Sequence, residues 1–215
     1  AIFYNRGIEE ISEIASMIDK SLDELEDPSL MKDGVVAAQA IIDSIDAGEE
    51  ITLYSDYDAD GWGSSVVGDY MFAELGVKIN IFSNTRDMGY GMCPEGVDKI
   101  LELYPNTKLI VTADNGIVAF DAVDYAISKG LKVVVTDHHQ PSPDGRMTNA
   151  IANVNPHRED CPYPFKELCG AAVLWKVLSL CFFMKGIPYK RAYKYLDIVA
   201  VATVADVVSL TGENR

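Results

Sequence analysis

Apolar residues recur through the first 25 positions at helical spacing: Ile8, Ile11, Ile14, Ala15, Ile18, Leu22 and Leu25 share one face. Asp27-Pro28 ends that stretch. A second helix is predicted over 34–47, with Val35, Val36, Ala40, Ile41 and Ile45 apolar and Gly48 as its stop. The rhythm then changes. Short β-rich runs stand at Ile51–Tyr54, Val77–Phe82, Leu109–Thr112 and Val133–Thr136, with helical stretches near 63–75, 94–104 and 118–129 between them. Gly76 and Gly130 mark two of the helix ends. Strand, helix, strand at this spacing predicts an α/β fold: a mainly parallel sheet with helices on both faces.

Residues 137–166 hold Pro141, Pro143, Pro156, Pro162 and Pro164 and read as a long connection, either functional or a boundary. Beyond it, 167–184 and 189–208 read as apolar helices. They form a helical C-terminal portion of the same domain or a small cap on it. No internal repeat or low-complexity tract interrupts the pattern.

Each predicted strand runs into a polar cluster. The first is followed by Ser55-Asp56-Tyr57-Asp58-Ala59-Asp60-Gly61, the second by Asn84-Thr85-Arg86 and Gly89-Tyr90-Gly91. The third leads to Asp114-Asn115-Gly116 and the fourth to Asp137-His138-His139. In an open parallel sheet these carboxyl ends share one edge, where ligands bind. Carboxylates gathered so closely repel, and divalent cations remove the conflict. Oxygen-rich ligation with imidazole and no thiolate suits manganese or magnesium better than structural zinc. Two such ions about 3.5–4 Å apart are a standard arrangement for displacement at phosphorus. Arg86 and His139 are candidates to hold non-reacting phosphate oxygens.

Taken singly, these pieces have plainer readings. Asp56-x-Asp58-x-Asp60-Gly61 could be a calcium loop, but Val67 stands where its glutamate belongs. Asp114-Asn115-Gly116 could be a turn, and Asp137-His138-His139 a helix cap. Their order, each after a strand, favours a phosphoester site. His157 reads as a loop residue rather than a ligand. Trp62 and Trp175 read as core or rim packing rather than base-stacking platforms. Asp23-Glu24-Leu25-Glu26-Asp27 reads as a solvated helix end. Asp206, alone in Val204-Ala205-Asp206-Val207-Val208, needs a partner, and a metal would serve.

The 215 residues suffice for one large domain or two small ones. Eighteen basic residues face 33 acidic ones, a formal net charge of −15. That balance excludes a general nucleic-acid coat protein but leaves a nuclease open, since bound metals reverse the local field. The 48% apolar content excludes wholesale disorder. No apolar run reaches the roughly 18 residues that span a bilayer, and no signal peptide is visible, so no membrane association is expected. Ala1 in place of Met suggests a trimmed end. Cys93, Cys161, Cys169 and Cys181 form no CxxC pair; reduced thiols in a cytoplasmic protein are expected.

With these residues assembled, the sequence resembles the DHH phosphoesterase superfamily, and within it the RecJ-like single-strand exonuclease branch. The resemblance is carried by YSDYDADG (54–61), GYG with CPEGVD (89–98), TADNGI (112–117), TDHHQP (136–141), NVNPHREDCPYP (153–164) and ATVADVVSLTGENR (202–215). It covers residues 28–215, read as a DHH phosphoesterase domain after an N-terminal helix in residues 1–27. The resemblance implies two Mn²⁺ or Mg²⁺ ions. Asp56 and Asp58 would serve one, Asp60, His138 and Asp206 the other, and Asp114 would bridge. It also implies that His139 contacts the scissile phosphate and that Asp137 supports the histidines. Arg86 sits three residues before Gly89, where the branch usually places an arginine four before.

The implied activity is 5′-to-3′ hydrolysis of single-stranded nucleic acid, DNA first, releasing 5′-mononucleotides, with a replication or repair protein as a possible partner. Hydrolysis of short oligonucleotides or cyclic dinucleotides is the alternative, although those branches begin their first motif with histidine rather than aspartate. A non-catalytic replication or repair module is the rival from another class, disfavoured because every ligand position is filled. The family's second, substrate-binding domain is expected to be absent from this chain. The natural protein is then expected either to continue past Arg215 or to borrow a basic surface.

Overall fold

The structure, a computed structural model, describes residues 3–18 and 21–215. Helix α1 (Ile11–Ile18) is followed by α2 (Gly34–Asp46), β1 (Glu50–Ser55), α3 (Ala59–Glu74), β2 (Asn80–Ser83) and α4 (Pro94–Leu103). Then come β3 (Thr107–Ala113), α5 (Phe120–Ser128), β4 (Lys132–Thr136), β5 (Ala152–Val154), α6 (Gly170–Met184) and α7 (Leu196–Ala205). The five strands form one sheet in the order β2-β1-β3-β4-β5, and every pairing is parallel.

Alternation along the strands builds two cores. Ile51, Leu53, Leu109, Val111 and Val134 face one side, where Ala38, Ile41, Phe72, Leu174 and Leu178 of α2, α3 and α6 cover them. Tyr54, Ile110, Val133 and Val135 face the other, against Val97 and Ile100 of α4 and Val123 and Ala126 of α5. Burial on both faces explains why these strands read as continuous apolar runs.

Three of the helices that lead into a strand, α2, α3 and α5, end alike. After α3, Gly76 at φ +82° lets its own N–H reach the Ala73 carbonyl and the Val77 N–H reach that of Phe72. Gly48 and Gly130 repeat this pattern before β1 and β4. The motif explains one boundary: Val77 belongs to the helix cap, so β2 begins at Asn80 rather than at Val77.

Other boundaries also differ from expectation. The amphipathic stretch 8–25 is α1 plus a separate 3₁₀ turn, Leu22–Glu24, with residues 19 and 20 outside the described set. Asp27 does not close a helix; it caps a new 3₁₀ turn, accepting from Ser29 N at 2.9 Å. Helix α3 starts four residues earlier than predicted, so the first aspartate motif forms its N-terminus. The connection 137–166 contains β5, whose three buried residues pair with β4. Segment 189–208 is a 3₁₀ helix, Tyr189–Tyr195, leading into α7, and no single helix spans it. Among the described residues, no helix is long and apolar enough to cross a membrane. All four cysteines are free thiols.

Candidate metal centre

After β1 the chain crosses to β2 on one side; β3 pairs on the other. The crevice between the carboxyl ends of β1 and β3 is therefore the topological switch point. Asp56 leaves β1 and Asp114 leaves β3 at this crevice.

Asp114 is 1% exposed and stands at φ +65°, a strained conformation outside glycine. Neither of its carboxylate oxygens accepts a hydrogen bond. His138 Nε2, likewise without a hydrogen bond, lies 3.1 Å from Asp114 Oδ1, 3.6 Å from Asp206 Oδ2 and 3.7 Å from Asp60 Oδ2. Burial, with the charges of Asp60 and Asp58 behind it, pushes the Asp114 carboxyl up to about 11. Buried polar atoms this close that make no hydrogen bonds are costly unless a proton or a cation lies between them. Among the described residues, two sets of side chains are close enough to hold a cation: Asp60, His138 and Asp206, and Asp114, His138 and His139.

Backbone groups hold the cluster in place. Asp60 accepts from the N–H groups of Gly170 (2.5 Å) and Ala171 (2.9 Å), the free donors at the start of α6. A Cβ on Gly170 would stand 2.5 Å from the Asp114 Cβ, so only glycine lets α6 approach this closely. Asp137 accepts from His138 N, His139 N, Ile117 N and the His139 ring at 2.7–3.0 Å. Burial alone would raise its carboxyl, but the bonds from His139 and Ile117 outweigh that and hold it below the usual range. His139 is raised in turn by the Asp137 bond; its side chain is 53% exposed, at the mouth of the crevice.

Asp56 and Asp58 stand apart from both ligand sets. Asp56 accepts from Tyr57 N (2.8 Å) and Gly91 N (3.1 Å), and Asp58 caps α3 through Gly61 N (3.0 Å). Their charges still bear on the cluster, since Asp58 raises both Asp114 and Asp206. Arg86 lies exposed on the loop between β2 and α4 and forms no ion pair among the described residues. Trp175 is buried in the core, as predicted, whereas Trp62 is 64% exposed on the first turn of α3.

Sequence reasoning missed several supporting residues. His157 Nδ1 meets the His138 carbonyl at 2.5 Å, and Asn155 donates to the His139 carbonyl at 2.8 Å, so the residues after β5 fix the histidine backbone. Buried Tyr54 bonds Asn84 (2.5 Å), whose amide holds the Gly89 and Gly91 carbonyls and with them the loop that reaches Asp56. The polar run Asn84-Thr85-Arg86 carried that signal, but Arg86 drew the reading.

The sequence matches the DHH family, N-terminal domain, over residues 50–203. The chain belongs to the DHH family. It is 36% identical over 190 residues to the single-stranded-DNA-specific exonuclease RecJ of Bacillus subtilis (strain 168), covering 88% of this chain and 23% of that protein. Against the enzyme of the same name from Escherichia coli (strain K12) the identity is 34% over 227 residues, with 100% and 38% covered. A crystal structure of exonuclease RecJ bound to manganese superposes with a TM-score of 0.77 at 30% identity, covering 91% of this chain and 47% of that one. This DHH chain thus spans less than half the length of each of these RecJ relatives.

Proposed function

We propose that this chain is a divalent-metal-dependent phosphodiesterase domain that hydrolyses single-stranded DNA from the 5′ end and releases 5′-mononucleotides. The observation that carries this reading is the set of buried polar atoms without hydrogen-bond partners, Asp114 Oδ1 and Oδ2 with His138 Nε2, beside Asp60 and Asp206. The named activity of the relatives and the manganese-bound neighbour support it. Asp60, His138 and Asp206 would hold one ion, Asp56 and Asp58 the other, and Asp114 would bridge. Bound, such ions supply a hydroxide near neutral pH and neutralise charge on the phosphoryl oxygens.

The chain's own groups do the rest. Asp137 holds the His139 ring by Nδ1 and favours its protonated form, so the exposed ring can donate to a phosphate oxygen. Asp56 is oriented by Gly91 N, which ties one ligand to the Gly89-Tyr90-Gly91 loop. Arg86, on the same loop, would meet the non-reacting phosphate oxygens. Residues 28–215 would form the phosphoesterase unit, and a replication or repair protein would be a natural partner.

The test is digestion of DNA and RNA single strands, labelled at either end, with Mn²⁺ or Mg²⁺. Labelled mononucleotide from the 5′-labelled DNA strand, lost in Asp114→Asn, is the expected result. Release from the 3′ end, or cleavage confined to dinucleotides or cyclic dinucleotides, would overturn the substrate reading. Metal-independent cleavage would overturn the centre itself.

A further inference from the structure

Lys176, midway along α6, is 2% exposed and takes no part in the chemistry above. Its Nζ stands 2.6 Å from Glu213 Oε2 and donates to the Glu26 carbonyl at 2.7 Å. The ammonium also lies 5.4 Å from the Tyr163 ring centroid and 5.6 Å from that of Trp175. Glu213 is nearly as enclosed, and its other oxygen accepts the Tyr163 hydroxyl at 2.6 Å. Taking both charges out of water is costly, and hydrophobic replacements are often as stable. Stability alone is therefore a poor account of this pair.

Glu213 belongs to the segment that leaves α7 through Asp206. From Val207 to Thr211 that segment has neither helix nor strand. Val207 stands at φ +61°, a left-handed conformation that a β-branched residue adopts only under constraint. Its side chain is 86% exposed, so no packing of its own holds it there. Its N–H closes the last turn of α7 on the Val204 carbonyl at 3.3 Å, and further ties come from beyond it in the chain. Glu213 is bound to Lys176 and Tyr163, and the Asn214 amide reaches the carbonyls of Ser209 and Glu167. Meanwhile Asp206 is set against another carboxylate, since its Oδ2 and that of Asp60 lie within 4 Å of the same His138 nitrogen. The two carboxylates repel each other across the last turn of α7, which its own bonds from Asp206 N and Val207 N close. Helix α6 adds a tie on each side of this repulsion. Its first N–H groups take Asp60, and Lys176, six residues or about 9 Å further along, takes the segment behind Asp206.

We propose that the buried Lys176–Glu213 pair is a positioning device for Asp206, holding the strained segment after α7 so that Asp206 faces Asp60 and His138 before any cation arrives. This inference rests on reading that cluster as a metal centre. It is tested by calorimetric Mn²⁺ titration of the wild-type chain, Glu213→Gln, Asp206→Asn and the double variant, at a temperature where circular dichroism shows all four folded. Glu213→Gln is expected to weaken Mn²⁺ binding about tenfold or more, the usual effect of removing a group that orients a ligand. In the Asp206→Asn background the same change is expected to cost nothing further, because it acts through Asp206. The paired change Lys176→Met with Glu213→Leu leaves no unpaired buried charge, guards against a misfolded single variant, and is expected to show the same weakening. Mn²⁺ affinity unchanged in Glu213→Gln, or losses that simply add in the double variant, would overturn the inference and leave the metal reading standing. No binding by the wild type would overturn both.

Discussion

Asp114 concentrates the conflict at the centre. Its oxygens have no donors, its backbone is strained, and burial beside Asp60 and Asp58 disfavours its ionised form. In the metal-free protein the folded carboxyl titrates well above the unfolded value of about 4, so its ionisation opposes folding. The folded state binds the extra proton, and this contribution to stability therefore falls as pH rises through and above the ordinary carboxylate range. Asp114→Asn should accordingly melt higher than wild type in chelator, and the gap should widen from pH 5 to pH 8 in thermal unfolding. With Mn²⁺ present the order should reverse. The two histidines should separate in the same way by role. His138→Ala should weaken Mn²⁺ binding. His139→Ala should bind Mn²⁺ almost normally and lose turnover by about 100- to 1,000-fold, the usual cost of one donor to developing charge. Calorimetry beside single-turnover rates distinguishes the two.

Among the elements, α6 departs furthest from what the sequence disclosed. Its apolar run made it legible as a helix, but nothing local announced that its first N–H groups would hold Asp60, 110 residues earlier in the chain. The strand-end motifs were legible for the opposite reason. Asp56, Asp114 and Asp137 each follow a buried strand within a residue or two, so periodicity alone brought them to one edge. Strand β5 escaped because three residues carry no period, and with it went the reason for Asn155 and His157 to be near the site. Gly170 was invisible as a site residue because its contribution is the absence of a side chain. Gly170→Ala tests it: a Cβ 2.5 Å from that of Asp114 must push α6 away. The expected cost is about 1–3 kcal/mol in denaturant unfolding, the range of an overpacked core position, with weaker Mn²⁺ binding.

For the whole molecule, the question is what could grip a long strand. The basic cluster at 185–194 is largely neutralised at home: Lys185 pairs with Asp46, and both Arg191 and Lys194 pair with Glu74. Asp46 and Glu74 close α2 and α3 at the edge of the sheet away from the carboxylates, so this cluster lies far from the crevice. Extended single-strand binding needs a positive groove and stacking surfaces beside the site. This chain should therefore bind Mn²⁺ but hold a strand of about twenty nucleotides weakly, with affinity that falls steeply in salt and cleavage that is distributive. A salt-dependent binding titration with a processivity assay checks this, and tight, salt-tolerant binding would count against it.

The glycine turns that close α2, α3 and α5 have a bearing on how such a domain tolerates change. A methyl group on Gly48, Gly76 or Gly130 would meet nothing within 4 Å, so at these glycines the turns are open to solvent. At the opposite edge, Gly116 sits against Thr112 and Val135. Length can therefore vary on one rim and not on the other. A Gly-Ser dipeptide inserted after Gly130 should leave Mn²⁺ affinity within about twofold of wild type, since surface loops lengthen at little entropic cost. The same dipeptide after Gly116 should abolish binding. Lineages could then accumulate insertions along the glycine rim while the carboxylate rim keeps its spacing to the residue.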